Sequence, residues 1–395
     1  MLKRLAAALG VPGLARSVAS QAEEVAALGR RLEALQPAIA ELQRTARLLQ
    51  RQAKRQANVA TRLARSARGE REATREQVYR RLDLVARRDG PVIVGPWTGE
   101  VGFELLYWAP FVRWAVRKFR IAPGRLVIVS RGGTAAWYGI AGAGYVDAFS
   151  LVTPDEFRAG TSGETKKQRT VSTLDRRVLR AARRQQPGAA SVIHPALMYS
   201  LYMPYWKQQE SIAWVTQAAD HARIAAPLPE DLRRRLPGEY VATRFYFSDC
   251  FPDTPANRAL VARTVDALSR ETPVVLLGPG LQVDDHRDVA VDAGARVVSI
   301  EDAMRPETNL GIQTAVIAGA RAFLGTYGGF SYLAPLCGVP TVAVYSDYTY
   351  FAHHLETARL VFDAIGAASF TPVDAAVLPL LRQLTPGAAA PGAAT

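Results

Sequence analysis

Short apolar runs alternate with helical stretches from Pro91 onward, and no other feature of this sequence constrains the fold as strongly. The runs are PVIVG (91–95), RLVIVS (125–130), YVATRFYF (240–247), TPVVLLG (272–278), RVVSI (296–300), RAFLG (321–325) and TVAVYS (341–346). Runs of this length between helices are typical of buried parallel strands. A proline-rich stretch at 227–237 separates two series of them. The pattern predicts an α/β chain with two Rossmann-like domains, at 91–235 and 236–385.

Residues 18–67 carry apolar side chains with a heptad repeat. With Val18 at position a, six consecutive seam positions are apolar, namely Val25, Leu28, Leu32, Leu35, Ile39 and Leu42. This spacing predicts an α-helical coiled coil within a helical region at 1–90. Pro37 lies inside the run and is expected to kink or interrupt the helix. Helical spacing of Val78, Leu82 and Val85 predicts a second, short helix before the folded body.

The net charge of +13 is concentrated in that N-terminal region. Residues 1–90 hold 19 basic and 9 acidic side chains, which leaves 30 and 27 for the rest of the chain. Two interpretations remain open: self-association into a homo-oligomer, and attachment to an anionic membrane surface helped by Leu2, Leu5 and Leu9. Nucleic-acid binding is disfavoured, because no recognition motif accompanies the charge. A separate basic stretch lies at 166–184.

Composition indicates a reduced, cytoplasmic protein. No window offers about 20 uncharged apolar residues, and the N-terminus lacks a convincing cleavage site. Cys250 and Cys337 cannot form a disulfide framework, and no Cys/His cluster has zinc spacing. The tail at 386–395, rich in Ala, Pro and Gly, is expected to be disordered.

The segment GTYGGFSYLAPLCGVPTVAVYSD (325–347) is the most informative motif. A strand ends at Gly325, and a turn with Gly328 and Gly329 opens a helix near Phe330 or Ser331. Glycines there allow a ligand to approach the backbone, and a helix N-terminus favours an anion. Tight packing without any ligand is the alternative.

This segment resembles the C-terminal domain of GT-B glycosyltransferases, in particular the heptosyltransferase-like group. The matching residues are Gly329, Ser331, Leu333, Ala334, Gly338, Val339, Pro340 and Thr341. The resemblance implies that the turn and helix bind the diphosphate of a nucleotide sugar, with Thr326, Tyr327, Gly328, Gly329, Phe330 and Ser331 around it. The acidic residue that often precedes the glycine in that group is replaced by Thr326 and Tyr327, so the preference for base and sugar does not carry over.

The loop GPWTGEVGFELLYW (95–108) directly follows the first predicted strand. Gly99 and Gly102 shape it, and Trp97 is expected beside them at the acceptor side of the cleft. Glycosyl transfer with inversion needs a base for the acceptor hydroxyl. In similar GT-B enzymes an acidic residue of this loop has that role, which favours Glu100, with Glu104 as the second choice. The alternative for Glu100 is a solvated charge at a helix start. The alternative for Glu104 is a structural hydrogen bond.

Three further residues complete the predicted site. Arg244 lies in an otherwise apolar strand and is expected to bind a phosphate; a salt bridge with Asp249 or Asp253 is the alternative. Glu307 is expected to reach the nucleotide ribose, as acidic residues in this region of GT-B enzymes often do, although the segment also suits helix capping. Of the pair His353–His354, His353 is expected to face the cleft.

We therefore expect a glycosyltransferase that moves a sugar from a nucleotide-diphosphate donor to a glycan or lipid-linked acceptor in cell-surface polysaccharide synthesis. No Asp-x-Asp metal motif and no dinucleotide glycine pattern occurs, so no metal and no cofactor is expected. A nucleotide-sugar epimerase of the same fold and an inactive coiled-coil scaffold remain open as alternatives. The sequence does not distinguish inversion from retention.

Overall fold

A computed structural model describes residues 12–161, 167–281, 287–289, 294–349 and 352–378. The predicted disordered tail at 386–395 and the apolar side chains Leu2, Leu5 and Leu9 lie outside these residues. The chain divides into two compact units, Met1–Ala73 and Thr74–Thr395. No helix among the described residues is both long enough and apolar enough to cross a membrane.

A single helix, α1 (Pro12–Arg87), runs through both predicted N-terminal elements. The expected interruption at Pro37 is therefore wrong, and so is the separate second helix. Val78 and Leu82 lie near the end of α1 and are buried in the core of the second unit. In the first unit, the heptad side chains Val25, Leu28, Leu32, Leu35 and Leu42 are between 56% and 69% exposed. Their association with another helix stays a prediction.

The first half of the second unit is built on a four-stranded parallel sheet. Its strands are β1 (Val92–Val94), β2 (Leu126–Ser130), β3 (Gly144–Asp147) and β4 (Ser191–Ile193), in the order β3-β2-β1-β4. Its helices are α2 (Val101–Phe103), α3 (Ala109–Lys118), α4 (Ala135–Tyr138), α5 (Pro154–Thr161), α6 (Thr173–Arg184), α7 (Pro195–Trp206), α8 (Ala213–Thr216) and α9 (Glu230–Arg235). A π-helical turn, Glu104–Trp108, connects α2 to α3. β1 is buried along its length because it is paired on both sides.

The second half carries a six-stranded parallel sheet. Its strands are β5 (Val241–Arg244), β7 (Val274–Leu276), β9 (Val297–Ser299), β10 (Ala322–Thr326), β11 (Thr341–Tyr345) and β12 (Phe370–Asp374). The order β12-β11-β10-β5-β7-β9 is that of a six-stranded Rossmann sheet with β5 as its first strand. The helices are α10 (Pro255–Glu271), α11 (Asn309–Ala318), α12 (Gly329–Leu336) and α13 (Ala352–Ala364). The predicted α/β class with two Rossmann-like sheets is confirmed.

The predicted strand at 240–247 is divided in two. β5 ends at Arg244, and β6 (Tyr246–Phe247) leaves the sheet to pair antiparallel with β8 (Arg287–Asp288). β8 was not predicted, and neither were three strands of the parallel sheets, β3, β4 and β12. β3, β4 and β12 lie at sheet edges, where several of their side chains are only half-buried, and their sequences lack a continuous apolar run.

The core is continuous between the two sheets of the second unit. One cluster of buried side chains includes Val94 and Trp108 from the first half together with Val275 and Phe323 from the second. Polar contacts join the halves as well: the Trp137 indole N–H donates to Thr314 Oγ1 at 2.9 Å. The two sheets therefore hold their loops in a defined relation across a shared cleft.

Candidate active site

A cavity of about 410 Å³ lies where the carboxyl ends of the two sheets meet. In each sheet the strand order reverses once, between β1 and β4 and between β5 and β10. Ligands of open α/β sheets bind outside the carboxyl ends of the strands at such reversals. The loops that follow β1, β5 and β10 all line this cavity. Topology alone thus selects it as the candidate site.

Eight of the predicted residues line the cavity: Gly99, Glu100, Gly102, Arg244, Tyr327, Gly328, Gly329 and Phe330. Six others, Trp97, Glu104, Glu307, Thr326, Ser331 and His353, do not belong to its lining. The fold therefore brings together residues from segments that are far apart in the sequence. The other six side chains lie outside the cavity surface.

The two glycine-containing helix starts pack directly against each other. A Cβ atom placed on Gly329 would lie 2.6 Å from Val101 Cγ1 and 2.9 Å from the Gly102 nitrogen. A Cβ atom on Gly102 would lie 3.3 Å from the Tyr332 ring. The glycines thus allow α2 and α12 to begin side by side at the cavity. The first N–H groups of a helix have no partner within the helix, so these starts offer donors there.

Arg244 is the last residue of β5, and its guanidinium is nearly buried. Nη1 donates to Gln313 Oε1, and Nη2 lies 3.3 Å from Asp288 Oδ1, so Asp288 replaces the predicted partners Asp249 and Asp253. The group stacks over the Phe330 ring, with Cζ 4.1 Å from the ring centroid. Its Nε is buried without a hydrogen-bond partner. Buried polar groups without a hydrogen-bond partner are rare in folded proteins, and a charged donor bonds most strongly to an anionic acceptor.

Two further cations line the cavity that were not predicted. Arg131 follows β2 directly, is only 2% exposed, and donates from Nη2 to the Gly99 carbonyl at 2.8 Å. Lys167 is exposed and lies 5.9 Å from the Phe103 ring. An arginine immediately after an apolar strand is the sequence signal that would have identified Arg131. Lys167 carries no comparable signal, since it belongs to a longer basic stretch.

Glu100 lies at the cavity with an exposed carboxylate. It precedes α2 as its N-cap residue, yet its side chain makes no capping hydrogen bond. Asp249 and Cys250 line the same cavity. Burial raises the pKa of the Cys250 thiol to about 11, so this group remains protonated near neutral pH. Glu100 is therefore a solvent-accessible carboxylate among the cations of the site.

Glu104, the second candidate base, is fully buried. Its Oε1 accepts hydrogen bonds from Ser130 at 2.5 Å, Tyr138 at 2.7 Å and Thr134 at 3.3 Å. Burial raises its pKa to about 7, against the lowering effect of these bonds and of the Arg131 charge. The Glu104 side chain thus accepts hydrogen bonds from neighbouring hydroxyl groups behind the cavity wall. This is the structural hydrogen bonding that was the alternative to a role as the base.

Thr326 and Ser331 lie behind the cavity surface and are occupied by local hydrogen bonds. Thr326 Oγ1 accepts from the Tyr246 nitrogen and donates to its carbonyl, both at 3.0 Å. Ser331 Oγ accepts from the Gly328 nitrogen at 3.0 Å and donates to its carbonyl at 2.8 Å. These two hydroxyl groups shape the β6 segment and the α12 start.

Trp97 and His353 are directed elsewhere. Trp97 is fully buried and stacks between Trp108 and Tyr199, with ring centroids 6.0 and 6.4 Å away. His353 Nε2 lies 3.1 Å from Gln208 Nε2, outside the cavity. Its neighbour His354 lines the cavity instead, with Nδ1 2.9 Å from the Tyr107 hydroxyl. Burial, together with the Lys167 and His353 charges, lowers the pKa of His354 to about 4, so its ring is neutral at neutral pH.

Glu307 is exposed at the loop before α11, on the side of the first half. A Cβ atom on Gly133 would lie 3.2 Å from its carbonyl oxygen. Its charge contributes to a raised pKa at Asp147, which is mainly caused by burial. Thr308 is the N-cap residue of α11, and its side chain makes no capping hydrogen bond. Among the described residues, no group of three or more His, Cys, Asp and Glu side chains is arranged to hold a metal ion.

Comparisons with known proteins give structural likenesses only. No protein-family profile matches the chain, and no curated protein sequence matches it. A glycosyl transferase family 9 structure from Veillonella parvula is 13% identical, covering 75% of this chain and 89% of its own, with a TM-score of 0.41. E. coli ADP-heptose LPS heptosyltransferase II is 12% identical over 72% and 90%, with a TM-score of 0.37. E. coli heptosyltransferase WaaC with ADP is 13% identical over 74% and 99%, with a TM-score of 0.36.

Proposed function

We propose that the protein is a glycosyltransferase that moves a sugar from a nucleotide-diphosphate donor to an acceptor hydroxyl. The observation that carries this proposal is Arg244. Its guanidinium is positioned at the end of β5 by Gln313, Asp288 and the Phe330 ring, and its Nε remains buried without a partner. An arginine held in this way at the cavity suits a phosphate group, whose oxygens match the guanidinium donors.

The remaining cations suit the leaving group of this reaction. Negative charge develops on the diphosphate as the glycosidic bond to the donor breaks, and fixed donors and cations stabilise that charge. Arg131 and Lys167 line the cavity together with Arg244, and the α12 start adds backbone N–H groups. We propose that these groups neutralise the diphosphate without a divalent ion, so that EDTA leaves turnover unchanged.

Glu100 is the proposed general base. Its carboxylate is exposed to the cavity and makes no capping bond, so it is free to accept a proton from the acceptor hydroxyl. Glu104 is excluded from direct contact by its burial. The neutral ring of His354, on the same cavity, is proposed to orient the acceptor through its outer nitrogen.

The setting of the reaction follows the resemblance of segment 325–347. We propose a glycan or lipid-linked acceptor of cell-surface polysaccharide synthesis, and a place in the cytoplasm at the inner face of the membrane. We also propose that the exposed heptad seam of α1 joins the chains into a homo-oligomer.

Donor binding is tested by thermal shift with UDP, GDP, ADP, CMP and their sugars. A ligand at about 100 times its dissociation constant stabilises the folded state by about 2.7 kcal/mol. One nucleotide class should raise the unfolding midpoint of the wild type. Arg244→Ala should weaken its binding by about tenfold or more, because a charged hydrogen bond is lost. Arg263→Ala, an exposed arginine of α10, is the matched control and should bind normally.

Catalysis is tested separately with Glu100→Gln. We expect release of the nucleoside diphosphate from the identified donor to fall by about 10² or more, with donor affinity unchanged. Glu239→Gln, an exposed carboxylate outside the cavity, serves as the control. A folded protein that no nucleotide stabilises would contradict the proposed function. Release of an altered free sugar would identify an epimerase instead.

A further inference from the structure

The exposed face of α6 is uniformly basic. Leu174, Val178, Leu179 and Ala182 are buried on one side of this helix. Its five arginines, Arg176, Arg177, Arg180, Arg183 and Arg184, are all exposed. At about 100° per residue they fall within an arc of about 120° on the opposite side. The helix therefore has a single apolar face and a single cationic face.

The positive charge of the α/β part of the chain is concentrated in this one segment. Residues 166–184 contain eight basic side chains and a single acidic one, Asp175, which is buried. Without that stretch, residues 91–395 carry 22 basic and 26 acidic side chains. Arg177 is paired with Glu156. The other four arginines of α6 have no acidic partner among the described residues, and we call them the α6 basic stripe (Arg176, Arg180, Arg183 and Arg184).

The stripe begins at the candidate active site. Asp175, in the first turn of α6, accepts a hydrogen bond from Gln168 Nε2 at 2.8 Å. Gln168 Oε1 in turn accepts from the backbone N–H of Thr98, a cavity residue, at 2.9 Å. Lys167, one residue before Gln168, lines the cavity itself. From this point α6 extends for 12 residues, or about 18 Å.

We propose that the α6 basic stripe binds an acidic polysaccharide that leads into the active-site cavity. Arginine forks match the carboxylate groups of such a chain. The stripe is one helix wide, and the acidic side chains of the adjacent α5, Asp155 and Glu156, border it. A narrow cationic line with an acidic border suits a linear polyanion better than a broad anionic bilayer.

The composition of α6 also distinguishes between partners. The helix has no aromatic side chain, and its exposed face has no large apolar one. Binding in a bilayer interface uses apolar side chains, and binding of single-stranded nucleic acid uses aromatic stacking. An acidic glycan needs neither of these. The binding itself is independent of the proposed function, and only the role of the glycan as acceptor rests on that function.

The test measures binding of the full-length protein to fluorescent oligogalacturonate, with neutral dextran of equal length as the reference probe. Arg176, Arg180, Arg183 and Arg184 are replaced together by Gln. The matched control replaces Arg44, Arg47, Arg51 and Arg55 of α1 by Gln, which lowers the net charge equally. We expect the stripe variant to bind about tenfold more weakly or worse, and the α1 variant to lose less than about threefold. Affinity of the wild type should fall with added salt, because exposed charges are screened.

A variant with Lys at the same four positions keeps the charge of the stripe. It should bind more tightly than the Gln variant and more weakly than the wild type, because Lys lacks the guanidinium fork. Equal losses in the stripe and α1 variants would overturn the proposal. Stripe-dependent binding that is tighter to phosphatidylglycerol vesicles or to RNA than to oligogalacturonate would also overturn it, in favour of that partner. If no nucleotide stabilises the protein but it still binds oligogalacturonate, the proposed glycosyltransferase function is refuted. The binding site at the α6 basic stripe is then retained.

Discussion

Glu104 has two carboxylate oxygens in unequal surroundings. Oε1 accepts from three hydroxyl groups, whereas Oε2 is buried without a partner. Burial raises the pKa from 4.5 to about 7. Between these values the folded state retains a proton that the unfolded state has released. The free energy of unfolding therefore falls as the pH rises through this window, by about 3 kcal/mol in total.

Glu104→Gln should remove that dependence. The amide oxygen can still accept from Ser130 and Tyr138, and the amide carries no charge to desolvate. We expect the stability of the variant relative to wild type to improve by about 3 kcal/mol between pH 5 and pH 8. Urea unfolding at both pH values measures it, with Glu239→Gln as the control. Parallel pH profiles for wild type and Glu104→Gln would show that burial of Glu104 has no such effect.

Residue roles at the site depend on neighbours that are remote in the sequence. Arg244 was recognised as unusual because a charge interrupts an apolar strand, and it does line the cavity. Its partners Gln313 and Asp288 lie 69 and 44 residues away and had no signal that linked them to it. His354 replaced His353 at the cavity because the rotation of α13 decides which of two adjacent residues faces inward.

At the scale of elements, the contact between the starts of α2 and α12 positions the cavity walls. Each helix begins after a loop that follows a strand, α2 after β1 and α12 after β10. The two helix starts approach so closely that no side chain fits between them at Gly329. The structure therefore shows the tight packing that was the alternative to ligand binding at this turn. It also shows the cavity that ligand binding requires. Glu100 directly precedes α2, so its position depends on this contact.

Gly329→Ala should destabilise the protein by about 1–3 kcal/mol, because the new methyl group overlaps Val101 and the backbone of Gly102. Gly238→Ala is the matched control: a Cβ atom there meets nothing within 4 Å. Its effect should stay within about 0.5 kcal/mol. Thermal and urea unfolding compare the two variants, and equal midpoints would refute the proposed close contact.

At the scale of the whole molecule, the exposed seam of α1 carries the prediction of oligomerisation. Leu28, Leu35 and Leu42 occupy consecutive d positions and are more than half exposed. A continuous apolar seam of this kind is buried when helices associate. Replacing all three by Gln should convert an oligomer into a 42.9 kDa monomer.

Sedimentation equilibrium of the full chain measures that change. The control variant carries Gln at Ala27, Ala34 and Leu48, which occupy position c, and should keep the wild-type mass. An unchanged mass for the seam variant, or a monomeric wild type, would leave α1 without this role. Either result concerns the first unit only, since the active-site cavity is built entirely from residues of the second.

The sequence by itself determined the α/β class, the interior strands of both sheets and the glycine-containing helix starts. These features follow from local patterns: a strand paired on both sides needs a continuous apolar run, and a close backbone approach needs glycine. The edge strands β3, β4 and β12 were not predicted because their sequences lack such a run, whereas the edge strand β9 was predicted from RVVSI (296–300). The continuity of α1 through Pro37 was not predicted either, because a proline weakens a helix without determining where the helix ends.

Only the tertiary structure decided which polar side chains share the cavity. Trp97 and Glu104 lie in the predicted loop and helix, yet packing against residues up to 102 positions away buries them. Arg131 and Lys167 reach the site because the carboxyl ends of two sheets face each other there. The burial of a charge, the partner of a donor and the direction of a side chain are properties of contacts between distant segments. Local periodicity predicts the elements, but it carries no information about those contacts.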